Sequence, residues 1–140
     1  MFEKILIGYD GSPGADRSLE AVRDLVKGGS GEVWLVAVLE HLPKYAASVG
    51  EIEEANAQGR EYLRTVLSQG QERALRLGLE VQVDQVAGQP AQALVKYARE
   101  HTFDLIVLGH SGHSGIWGTF LGTTADKTMR HAHCSVLVVR

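Results

Sequence analysis

The chain has 140 residues, 44% hydrophobic and 22% charged, a normal balance for a globular domain able to bury a core. A formal charge of −3 removes the electrostatic reason to expect nucleic acid, and it requires any phosphate to be held locally, by backbone donors, a helix end or a metal ion. No apolar run is long enough for a membrane helix, and the single cysteine, Cys134, excludes an internal disulfide, so no membrane partner and a reducing, cytoplasmic setting are expected.

The opening Met-Phe-Glu-Lys runs straight into a strand pattern and does not read as a signal peptide. Lys4 to Asp10 predicts the first strand, centred on Ile5-Leu6-Ile7. Asp10-Gly11-Ser12-Pro13 ends it: Gly11 suits a tight turn, Ser12 can cap a helix, and Pro13 fits a first helical position. Leu19, Val22, Leu25 and Val26 then recur at helical spacing. Glu32 to Leu39 predicts a second strand, and Glu51 to Leu77 a long helix weakened at Gly59 and Gly70. Leu79 to Val86 alternates apolar with polar, which places a third strand near a sheet edge. Pro90 opens a third helix carrying Ala91, Leu94, Val95 and Ala98.

Leu105-Ile-Val-Leu108 predicts a buried parallel strand. It leads into glycines at 109, 112, 115, 118 and 122, then into a helix over Ala125 to Ala132 and a last strand over Ser135 to Val139. Strands alternating with helices imply βαβ units: an α/β, doubly wound, five-stranded and mainly parallel sheet in one domain, residues 1–140, with helices on both faces. The glycine loop follows the carboxyl end of a strand, where open α/β sheets bind ligands. Strand, glycine loop and helix N-terminus together offer unpaired backbone N–H groups and the positive end of a helix dipole to an anion. A loop whose glycines merely turn the chain is the bland alternative. Ile116, Trp117, Phe120 and Leu121 argue against it, since they favour a loop that packs.

The spacing Gly109-x2-Gly112-x9-Gly122-Thr123, followed by Arg130-His-Ala-His-Cys134, resembles the universal stress protein family, whose ATP-binding branch carries Gly-x2-Gly-x9-Gly-Ser/Thr. The opening Ile5-Leu-Ile-Gly-Tyr-Asp10-Gly-Ser is similar to that family's first strand and turn, and the likeness spans the whole chain. Ser135 departs from it, where relatives often have proline. The resemblance implies strand order 3-2-1-4-5 and an adenine nucleotide, ATP or else ADP or AMP, assisted by Mg²⁺ or Mn²⁺. It places Asp10, with Gly8 and Tyr9, at the adenosine end and Val38 against adenine. It places Gly109, His110, Gly112, His113, Gly122, Thr123 and Thr124 around the phosphates. It also implies a homodimer through Val136–Val139, an apolar strand ending at Arg140.

Residue chemistry supports binding over turnover. There is no Gly-x4-Gly-Lys-Ser/Thr, hence no P-loop lysine, and no marked base to orient a water. The expected function is a nucleotide-responsive regulatory module with slow or no ATP hydrolysis, an ATPase or nucleotidyl transferase being the alternative. His110-Ser-Gly-His113 matches the transferase pattern His-x-Gly-His but follows the fourth strand, not the first. His110, His113, His131, His133 and Cys134 do not repeat a zinc spacing, so no metal ligand is assigned. Thr123 is expected to cap the last helix, with Asp126 completing a capping box.

Overall fold

The structure, a computed structural model, describes residues 2–27, 29–40, 48–110 and 123–140. Its elements in chain order are β1 (Lys4–Gly8), α1 (Pro13–Val26), β2 (Glu32–Leu39), α2 (Val49–Arg76), β3 (Gln82–Ala87), α3 (Pro90–Glu100), β4 (Leu105–Gly109), α4 (Thr123–His131) and β5 (Ser135–Val139). The five strands form one sheet in the order β3-β2-β1-β4-β5, and all four pairings are parallel.

Each central strand divides its side chains between two cores, the reason its sequence reads as an unbroken apolar run. Ile5 and Ile7 of β1 and Leu105 and Val107 of β4 join Ala15, Leu19 and Val22 of α1 and Val66, Leu67 and Ala74 of α2. On the other face Leu6, Val36, Ile106 and Leu108 meet Leu94 and Ala98 of α3 and Ala125 of α4. Each fully buried Leu, Ile or Val contributes roughly 1.5–3 kcal/mol against exposure. These two cores therefore set the direction in which every strand's carboxyl end points.

Several element ends differ from those read in the sequence. β1 stops at Gly8, two residues short of Asp10, although the Tyr9 N–H still reaches the Val36 carbonyl at 2.9 Å. Asp10 Oδ1 then accepts the Ser12 N–H at 2.9 Å, and Gly11 turns at φ 80°, which takes the chain off the ladder. β3 starts at Gln82, opposite Trp34, three residues after Leu79. Leu79 and Val81 are buried without belonging to the ladder. α2 spans Val49–Arg76 and has buried residues only at Val66, Leu67, Gly70 and Ala74; Leu63 packs partly buried against the core, one turn before Leu67.

The expected cap of α1 forms. Ser12 Oγ accepts the Ala15 N–H at 3.2 Å, with Pro13 opening α1. Pro90 opens α3, where the Gln89 side chain accepts the Gln92 N–H. Thr123 is the first described residue of α4, and the expected Thr123–Asp126 capping box lies outside the described residues; Asp126 Oδ2 accepts from Arg130 Nε at 3.1 Å, one turn on. Asp126 and Arg130 form an i,i+4 ion pair on the first two turns of α4.

Candidate functional site

β1 and β4 are neighbours in space although three crossovers separate them in sequence, so the strand order reverses between them. A parallel sheet opens a crevice at such a point because its two connecting helices leave to opposite faces. A cleft of about 220 Å³ lies there, at the carboxyl ends of β1, β2 and β4 and beside the first turns of α1, α3 and α4.

Its inner part is apolar, built from Val36 and Val38 of β2, Leu108 of β4, Leu94 and Pro90 of α3, and Ala125 of α4. A side chain on Gly8 would bring its Cβ within 2.6 Å of Leu108 Cδ2 and 3.0 Å of Leu94 Cδ1. Gly8 thus lets the two leucines approach β1 and line the slot. The polar parts are Asp10 and Glu40 beyond the ends of β1 and β2, Ser12 at the start of α1, and Thr124 in the first turn of α4. Asp10 commits Oδ1 to the Ser12 N–H, which fixes the turn and leaves Oδ2 for a ligand. The described lining holds two carboxylates and no Lys, Arg or His.

At the other end of the cleft the backbones of α1 and β4 nearly touch. An added Cβ on Gly109 would fall 2.3 Å from the Gly14 carbonyl carbon, and one on Gly14 would fall 2.9 Å from the His110 oxygen. This contact holds α1's first turn, with Ser12 and Ala15, against the end of β4. α4's first turn meets the same end through Thr124 and Ala125. The unpaired N–H groups of a helix start favour negative charge.

Of the residues singled out in the sequence, Gly8, Tyr9, Asp10, Val38, Gly109 and Thr124 line this one cleft. The His110 N–H donates to the Val139 carbonyl at 2.7 Å, tying the residue after β4 to the end of β5. Thr123 opens α4, its side chain lying outside the described residues, as do Gly112, His113 and Gly122. Sequence reasoning missed Glu40, Pro90, Leu94, Leu108 and Ala125 as lining residues. Glu40 stood one residue past a correctly bounded strand, and that position at a switch point was the available signal.

Tyr9 is 4% exposed, and its ring packs on the opposite face of the sheet, against Gly70 and beside Leu35. Its hydroxyl donates to Asp16 Oδ1 at 2.6 Å, and Asp16 Oδ2 pairs with Arg73 at 3.3 Å. Burial first, then the bond to Asp16, pushes the phenol well above its ordinary range, so it stays protonated and donating. Tyr9 thereby joins the site's first strand to α1 and α2. Tyr97 repeats the device on the other face, donating to Asp84 at 2.7 Å, and burial raises its pKa likewise. Among the described residues no three His, Cys, Asp or Glu side chains gather to hold a metal ion.

A parallel, doubly wound sheet with helices on both faces and a cleft at its switch point defines the fold class as doubly wound α/β. The chain belongs to the universal stress protein family, which it matches over residues 1–140. It is similar to a universal stress protein of Methanocaldococcus jannaschii, 32% identical over all of this chain and 83% of that one. Among solved structures, UspA of Lactobacillus plantarum superposes with a TM-score of 0.84 at 20% identity, covering 99% of this chain and 97% of that one. A universal stress protein in complex with cAMP gives 0.72 at 23%, covering 99% and 97%. A family protein of Arabidopsis thaliana with AMP bound gives 0.72 at 15%, covering 98% and 90%. No helix among the described residues is long and apolar enough to cross a membrane.

Proposed function

We propose that this protein is a nucleotide-responsive regulatory module of stress response, binding ATP or a related adenine nucleotide and turning it over slowly or not at all. The observation that carries the reading is the cleft's polarity along its length. The apolar slot of Val36, Val38 and Leu94 suits a purine, and Asp10 Oδ2 suits a ribose hydroxyl. The start of α4 beyond Gly109, continuing the Gly-x2-Gly-x9-Gly-Thr spacing, suits phosphates. The cAMP and AMP named for two relatives are the same class of ligand. Mg²⁺ or Mn²⁺ would travel with the nucleotide's own phosphates, since the described residues offer no metal cage. Its chemistry there is charge neutralisation. A single domain acting in the cytoplasm fits the lone, half-buried Cys134.

The test is the nucleotide carried through gentle purification, read by mass and absorbance, then a turnover assay with added ATP. An adenine nucleotide with negligible turnover is the expected result. Ligand-free protein that fails to bind ATP in calorimetry, or turnover at ordinary enzymatic rates, would overturn it. Asp10→Ala is expected to cost adenosine recognition about 1.5–3 kcal/mol, the range for a hydrogen bond to a charged acceptor. Binding of inorganic triphosphate should fall far less. Equal losses for ATP and triphosphate would remove Asp10 from the ribose.

The proposed homodimer forms through β5, which pairs with β4 on one side and with no described strand on the other. Val136–Val139 keep partly exposed side chains, and an open ladder edge invites a second copy. Two such edges can pair antiparallel about a two-fold axis and close at two copies. Val138→Pro removes a ladder donor and is expected to shift the protein to monomer in light scattering. A wild-type protein that stays monomeric at high micromolar concentration contradicts the assembly, and a dimeric variant moves it to another surface.

A further inference from the structure

Resting on the adenine-nucleotide reading, we infer that Glu40 sets the charge state of the nucleotide the cleft accepts. Nucleoside and monophosphate enter unaided, whereas free ATP is disfavoured until a divalent cation neutralises it. Glu40 is the first residue beyond β2, and Val38 and Val36, two and four positions back, both line the cleft. The strand alternation therefore continues from the purine slot to a carboxylate at its mouth. Asp10 brings a second carboxylate beyond the neighbouring strand, since β1 and β2 are in register at Gly8 and Val36.

Neither carboxylate has an ion-pair partner among the described residues, and the described lining contains no cation to offset them. The sequence from 111 to 122 adds no Lys or Arg, and within 41–47 the one such residue is Lys44. Backbone N–H groups and the dipole of α4 remain, worth about half a positive charge at the helix start. A free triphosphate brings several negative charges. Glu40 stands two strands from Gly109 and, by the register, three residues further along, a separation of roughly 14 Å at ordinary strand geometry, which is near one Debye length at low salt. Repulsion therefore reaches the phosphates, falls with salt, and leaves an uncharged adenosine untouched.

Calorimetry in EDTA with adenosine, AMP and ATP, on wild type, Glu40→Gln and Glu40→Lys, tests this. Glu40 is exposed and makes no described hydrogen bond, so both variants are expected to fold as wild type does. The ratio of ATP to adenosine affinity should rise roughly fivefold in Glu40→Gln and further in Glu40→Lys, with the gain shrinking as salt is added. A ratio unchanged in both variants while adenosine still binds overturns the role of Glu40 and leaves the nucleotide reading standing. Adenosine that fails to bind wild type removes both. A Lys44→Gln variant that loses ATP binding while the Glu40 variants change nothing assigns the charge balance to Lys44 instead.

Discussion

Gly109→Ala is expected to destabilise the protein by about 3 kcal/mol or more, the upper part of the range for overpacking. The alanine Cβ would lie 2.3 Å from both the carbonyl carbon and oxygen of Gly14 and 2.8 Å from the Ala15 nitrogen. These are backbone atoms of α1's first turn, and no rotamer change can move them aside. Relief requires α1 to retreat from β4, which would open the core that Ala15 and Leu19 share with Val107. Gly14→Ala meets a single close oxygen, at 2.9 Å, and should cost less. Gly50→Ala is the control: nothing lies within 4 Å of its Cβ, so alanine's helix propensity should stabilise by up to about 1 kcal/mol. Urea unfolding of the three variants gives the ranking. Gly109→Ala with wild-type stability would mean that α1 and β4 do not approach so closely.

The sheet was legible because its signal is burial, and burial on two faces leaves long apolar runs. β2 and β5 have the bounds read from Glu32–Leu39 and Ser135–Val139, and the strand order is the one the family resemblance implied. The ends that moved are those where burial and hydrogen bonding separate. Leu79 and Val81 alternate like a strand and are buried, yet the ladder waits until Gln82 faces Trp34. Asp10 follows an apolar strand, yet its own carboxylate bonds to Ser12 and ends the pairing. Sequence periodicity records which side chains are inside and carries no information on which backbone groups pair.

The candidate site was legible where residue type betrayed the chemistry. Gly8, Asp10, Gly109 and Thr124 are small or polar residues beside strand ends, and all line the cleft. Leu94 and Leu108 were invisible because a leucine that lines a slot has the same helical or strand spacing as one that fills a core. The Tyr9–Asp16–Arg73 chain was invisible for another reason: Arg73 is far from Tyr9 in sequence, and only the packing of α2 brings them together. Polar networks that span elements are products of the fold.

Gly122→Val is expected to lower ATP affinity by about 100-fold or more while sparing adenosine. In the sequence Gly122 immediately precedes Thr123, the first residue of α4, and on the proposed reading it adjoins the helix's unpaired N–H groups that would meet the phosphates. Thr124 and Ala125 of that first turn line the cleft, which places those donors on its wall. A β-branched side chain at this point competes for the space a phosphate needs. Losing two charge-assisted hydrogen bonds at about 1.5–3 kcal/mol each corresponds to at least that fold-change. Gly112→Val, at the middle glycine of the spacing, should act in the same direction. Both variant proteins are expected to keep their circular dichroism and unfolding midpoint. Calorimetry with ATP and adenosine separates the outcomes. Loss of both ligands would mean that the change reaches the purine slot at Val36 and Val38. Unchanged ATP affinity in both variants would take the glycine loop out of the site and leave the start of α4 without an anion to hold.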